Sequence, residues 1–204
     1  QSPTSRAVVH VRVLDVADLR LDEVFAKSGE PLSNSGRDVV VLVGANFGYK
    51  PSHRSGAIVS ATYARTNPES TRYFAPECTV TIRYERIECT TEAGIGADLR
   101  WEVRVNDLRA SLTHPPSRPV AYAPPRIAAL WGEGAFDALT AGGQTVTLSG
   151  AGFGPRRTLE DAAKVEYARL GVATDYAATK AVDCRVVSDV EMVCTTSPGT
   201  GVEH

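Results

Sequence analysis

Little in this chain of 204 residues advertises chemistry. Methionine occurs once, aromatic residues make up 7%, and four cysteines are too few to hold together a miniature disulfide scaffold. The formal net charge is −2, from 22 Lys+Arg against 24 Asp+Glu, so no field is available for gripping a nucleic-acid backbone. Arg156-Arg157 is the one adjacent basic pair, and two arginines do not make a footprint. No apolar run of about 18 residues marks a membrane span. There is no GxSxG, HExxH, P-loop or EF-hand loop. The acidic neighbours Asp22-Glu23, Glu160-Asp161 and Asp189 with Glu191 each sit beside a turn, where a solvated carboxylate is the ordinary explanation. Asn34, Asn46, Asn67 and Asn106 all lack the hydroxyl residue of a glycosylation sequon. We expect no enzyme, no metal, no cofactor, no nucleic-acid partner and no membrane insertion. The opening Gln1-Ser2-Pro3 has neither an initiator Met nor a signal-peptide core, which reads as a processed chain or a segment of something longer.

What the chain does have is an internal repeat. Gly36 matches Gly142, and GANFG at 44–48 matches GAGFG at 150–154, all at an offset of 106. Gly44, Phe47 and Gly48 thereby pair with Gly150, Phe153 and Gly154. Cys78 matches Cys184 at 106, but Cys89-Thr90-Thr91 matches Cys194-Thr195-Thr196 at 105, so one residue is lost between the cysteines. Gly94 and Gly96 keep the spacing of Gly199 and Gly201, and YAR recurs at 63–65 and 167–169.

Both copies read as short strands broken by turn residues. In the first copy strands are predicted at 8–14, 38–44, 57–64, 78–84 and 101–106; in the second they are predicted at 126–131, 144–150, 163–169, 184–188 and 191–195. One segment departs from this pattern: at 16–27, Leu19, Val24 and Phe25 fit the apolar stripe of a short helix. The first copy also spends about 30 residues between Ala7 and Gly36 where the second spends 18 from Pro125 to Gly142, which predicts an insertion at about 15–35. HPPSRPVAYAPP at 114–125 is expected to be a stiff connector. The expected organisation is therefore a linker or the end of a preceding domain at 1–6, a first domain at 7–124 and a second at 125–204. Cys89 is followed by a strong strand around Trp101, Val103 and Val105, whereas Cys194 is followed by only 10 residues, so the second domain is expected to be truncated, lacking its last strand.

The segments PPRIAALW, GGQTVTLSGAGFGP, DCRVVSDVEMVCTTSPGTG and LRWEVRVNDLRASLTHPPSRPVAYAPP resemble IPT/TIG domains, the immunoglobulin-like fold shared by plexins and certain transcription factors. The resemblance implies an all-β fold class: two tandem immunoglobulin-like β-sandwiches without catalysis. It implies a spacer or binding module of a large extracellular or cell-surface protein, including algal and ciliary surface proteins.

Gly44–Phe47–Gly48 and Gly150–Phe153–Gly154 are read as structural turns, with glycines at positive φ and each Phe turning back to plug the sandwich end. A nucleotide loop is excluded because GxGxxG would need glycine at Pro155. Each copy carries its own cysteine pair across two short strands, which predicts disulfides Cys78–Cys89 and Cys184–Cys194 in an oxidising compartment. Reduced core thiols are the alternative; a zinc site finds no CxxC partner, and His10, His53, His114 and His204 show no ligand spacing. Trp101 is expected in the core, and Trp131 near a joint between the copies.

Three functional classes follow as expectations. The first is a non-catalytic structural or adhesive module whose partners are other domains of the same large chain, or another protein adding a strand at the second domain's open edge. The second is a receptor-type ligand-binding ectodomain, as in plexin-like proteins, with 16–36 as contact loop. The third is a module accompanying a sugar-active enzyme, with Trp131 as a sugar platform.

Overall fold

A run of β-branched residues such as VVVLVGA favours a central strand, and the alternation of LRWEVRV favours a strand with one buried face. Both become strands in the computed structural model, which describes residues 18–49, 58–65, 72–112, 119–156, 165–167 and 179–199. The predicted strand at 8–14 lies outside the described residues. All regular elements among the described residues are β-strands.

The described residues up to 123 build two four-stranded sheets. Strands β1 (Arg20–Ala26), β2 (Val39–Ala45), β5 (Cys78–Ile82) and β6 (Arg86–Thr90) form one in the order β1-β2-β6-β5. Strands β3 (Val59–Arg65), β4 (Arg72–Phe74), β7 (Leu99–Val105) and β8 (Leu108–Ser111) form the other in the order β4-β3-β7-β8. All pairings are antiparallel. Inward residues of both sheets share one core, including Leu21, Val40, Leu42, Val80 and Ile87 from the first sheet and Tyr63, Tyr73, Trp101 and Val103 from the second. This is a β-sandwich-like arrangement in which period-2 alternation supplies the two buried faces. The ring of Tyr63 stacks on Trp101 at 4.2 Å and on Tyr73 at 5.1 Å. An aromatic side chain of this kind removes on the order of 200 Å² from water, about 5 kcal/mol before conformational entropy is charged against it.

The second region has one comparable sheet. Strands β9 (Arg126–Trp131), β10 (Thr145–Ala151), β13 (Val182–Ser188) and β14 (Glu191–Thr195) are ordered β13-β14-β10-β9. Beside it lies a two-stranded ribbon of β11 (Glu166–Tyr167) and β12 (Thr179–Lys180). Among the described residues its core is smaller, built on Leu148, Phe153, Cys184, Met192 and Cys194.

Three expectations are corrected here. The helix predicted at 16–27 on Leu19, Val24 and Phe25 is, over Arg20–Ala26, the edge strand β1, which carries a β-bulge between Leu21 and Glu23. The extra residue puts Leu21 and Val24, three positions apart, on the same inward face. The segment is also not an insertion, because β9 carries the same bulge between Ile127 and Ala129 and the interval from strand start to glycine is 16 residues in both copies. The proline-rich stretch differs from expectation as well. Its described part joins the first core: Val120 and Tyr122 are buried, Tyr122 N–H donates to Gly96 O at 2.9 Å, and Ala123 N–H donates to Leu32 O at 2.8 Å. Alternation between prolines lets a segment short of N–H donors still bury every second side chain.

Candidate functional site

The repeated turn is a socket for a phenylalanine. Phe47 and Phe153 are both buried, and their N–H groups donate to Tyr84 O at 3.1 Å and Asp189 O at 3.0 Å, at the tips of the β5–β6 and β13–β14 hairpins. Gly48 and Gly154 have φ of 77° and 83°, as the turn requires. Gly44 and Gly150 are needed for another reason. Neither has a positive φ; a Cβ at Gly44 would overlap the Arg20 carbonyl oxygen, and one at Gly150 would overlap that of Arg126. The glycines let the bulged edge strand approach.

The hairpins are stapled as the cysteine spacing predicts. Cys78–Cys89 and Cys184–Cys194 are disulfides, each with Cα atoms 4.1 Å apart. Cys78 and Cys89 face each other directly in the ladder, and the short Cα separation is that of a non-hydrogen-bonded antiparallel pair. The change of offset from 106 to 105 falls in the turn, which has three residues at 83–85 and two at 189–190. Beyond the hairpin the copies use the same clamp. Thr91 Oγ1 accepts from Asp38 N–H and Thr196 Oγ1 accepts from Gln144 N–H, both at 3.1 Å. The Tyr63 hydroxyl accepts from Glu92 N–H at 3.0 Å, and the Tyr167 hydroxyl from Ser197 N–H at 3.1 Å.

In the first region this tyrosine belongs to a closed loop of hydrogen bonds. Tyr122 donates to Glu92 O at 2.7 Å, so its 2.9 Å contact with Tyr63 has Tyr63 as donor. Burial pushes the Tyr63 hydroxyl up to about 12, and burial together with the Tyr63 hydrogen bond pushes Tyr122 higher still. Phenols held protonated in this way are structural. Ion pairs lie at the surface: Lys27 Nζ–Glu88 at 2.8 Å holds the Glu88 carboxyl below its usual range, and Arg20–Asp22 stands at 2.6 Å. Among the described residues, no three His, Cys, Asp or Glu side chains gather as a metal would require. Trp101 is in the core at 2% exposure, with no hydrogen-bond partner for Nε1. Trp131, expected near a joint between the copies, is 53% exposed.

One surface stands out. A groove of about 660 Å³ runs over the inner face of the second sheet, lined by Ile127, Leu130, Phe136, Leu139, Val146 and Tyr167 among others. Ile127 is 58% exposed and Leu130 is 46% exposed, although Leu21 and Val24 at the matching positions of β1 are at 0% and 1%. No known family model and no curated protein matches this chain. The groove was not legible in the sequence beyond the expected absence of a strand, because Ile127 and Leu130 read as ordinary core residues. The signal that was present lies in the rim, where Phe136 and Leu139 replace Glu30 and Ser33 of the first copy.

Proposed function

We propose that the chain is a non-catalytic structural or adhesive module made of two tandem immunoglobulin-like sandwiches of the IPT/TIG type, within a secreted or cell-surface protein. The observation that carries the proposal is the repeated framework: hairpin disulfide, phenylalanine socket, threonine clamp and tyrosine hydroxyl recur in both copies. In this reading the buried polar side chains among the described residues, such as Thr91, Tyr63 and Tyr122, serve to hold backbone in place. A covalent staple in each copy suits an oxidising compartment and a chain that resists extension. No helix among the described residues is long and apolar enough to cross a membrane. A receptor-type binding role is the second reading, favoured by the exposed apolar groove; the contact loop expected at 16–36 loses its support, since 20–26 is an edge strand.

The test is non-reducing peptide mapping of the protein from its natural source. Peptides linked through Cys78–Cys89 and Cys184–Cys194 are expected; four free thiols would sink the extracellular reading.

A further inference from the structure

Tyr122 N–H and Ala123 N–H are bonded into the first core, and β9 begins at Arg126, so Pro124 and Pro125 alone join the first region to the second. Each proline fixes its own φ and restricts the residue before it. On the first side of this joint stands a loop gripped at both backbone groups of Ile95: the Tyr73 hydroxyl donates to Ile95 O at 2.9 Å and accepts from Ile95 N–H at 3.1 Å. Asn34, at 5% exposure, donates from Nδ2 to Gly94 O at 3.2 Å, and its carbonyl accepts from Gly94 N–H at 3.1 Å. On the second side stands the turn that carries Phe153, where Gly154 N–H donates to Asp189 Oδ1 at 2.9 Å.

The loop and the turn touch. Gly152 and Gly154 are buried, whereas the matching Asn46 is exposed and Gly48 is half-buried. A Cβ at Gly154 would overlap Cγ2 of Ile95, and one at Gly152 would stand 3.2 Å from Cα of Pro125 and 3.4 Å from Oδ1 of Asn34. The turn by itself does not require glycine at 152, because Asn46 fills that position in the first copy at a φ of 67°. We propose that the Gly152–Gly154 turn is the docking seat for Asn34 and the Gly94–Ile95 loop of the first region, and that this contact, with Pro124-Pro125, holds the two regions at a fixed angle as one rigid body. Tandem units that share a small interface move against each other by default. Here freedom is removed twice: the linker has its φ angles fixed, and a methyl group positioned by Tyr73 sits on a turn positioned by Asp189. The inference uses neither the extracellular reading nor the IPT/TIG type, so each can fail alone.

Residual dipolar couplings of the oxidised 204-residue protein, measured on the amides of β2, β6 and β7 and on those of β10 and β14, read the angle directly. One alignment tensor is expected to fit both sets. Gly152→Asn gives the second turn the side chain that the first turn carries, so the Phe153 socket and the Cys184–Cys194 link should remain while the added side chain displaces Asn34. A single tensor should then no longer fit. Ile95→Ser should have the same effect from the other side, since Tyr73 grips backbone and not the side chain. Ile95→Val keeps the γ-methyl group and should retain the fit of the unaltered protein. If Gly152→Asn fails to form its disulfide, Ile95→Ser against Ile95→Val decides alone, and equal behaviour of those two variants would overturn the proposal. So would two tensors for the unaltered protein, or one unchanged tensor when Gly152→Asn and Ile95→Ser are combined.

Discussion

The two copies share a sheet, a bulge, a hairpin staple and a phenylalanine socket, yet among the described residues the first has 19 buried residues in its hydrophobic cluster and the second has five. The framework is local: the socket and hairpin sit within one sheet and need only their own hydrogen bonds and disulfide. The core is not local. Leu21 and Ile127 occupy the same place beside the same bulge at 0% and 58% exposure, and among the described residues the first faces a four-stranded sheet where the second region has the two-stranded β11–β12 ribbon. Identical local geometry therefore produces two regions whose stability rests on different foundations, packing in one and cross-linking in the other.

The sharpest way to break that comparison is to truncate the two tryptophans. Trp101→Ala should cost about 3–5 kcal/mol through the cavity it leaves, and Trp131→Ala about 0.5 kcal/mol or less. Urea melts followed by circular dichroism measure both; equal losses would contradict the packing account. Because Nε1 of Trp101 has no partner, Trp101→Phe should recover much of the loss.

Removing the staples should produce the opposite asymmetry. Each closes a loop of about 12 residues, a contribution of about 3 kcal/mol on the chain-entropy account. Cys78→Ala with Cys89→Ala should leave the first region folded at lower stability. Cys184→Ala with Cys194→Ala should melt the second, read as lost hydrogen-exchange protection in β10 and β14. Survival of β10 protection would mean that its small core suffices.

A third comparison uses alkali. Tyr63 and Tyr122 have folded values raised above the ordinary phenol value of about 10, so their stabilisation is complete below pH 10 and is lost as pH rises towards about 12. Ionisation followed at 295 nm should coincide with loss of first-region structure. Tyr122→Phe should blunt that pH dependence and cost about 1–2 kcal/mol, because Tyr63 then loses its acceptor and Glu92 O its donor.

The smallest effect is expected at the Lys27–Glu88 pair. Lys27→Ala should cost no more than about 0.5 kcal/mol, since the pair lies in solvent. The lowered Glu88 value places that contribution above the ordinary carboxylate range, and it should vanish as pH falls through it. A larger or pH-independent loss would show that the lysine stem packs on the sheet.

Sequence alone determined the repeat and everything that depends on contacts close along the chain. The cysteine pairs and the one-residue difference between hairpin turns follow from spacing, because a hairpin brings near neighbours together whatever surrounds it. Phe47 and Phe153 are marked by the repeated motif but are held by the distant hairpin tips at Tyr84 and Asp189. Tertiary structure decided the rest. Leu19, Val24 and Phe25 read as a helical stripe, but β1 is a bulged edge strand that buries Leu21 and Val24, and a proline-rich stretch that read as a connector sends Tyr122 into the first core. Ile127 and Leu130 carry the composition of core residues, but burial depends on what lies across the sheet, and no residue encodes its own neighbour from the opposite side.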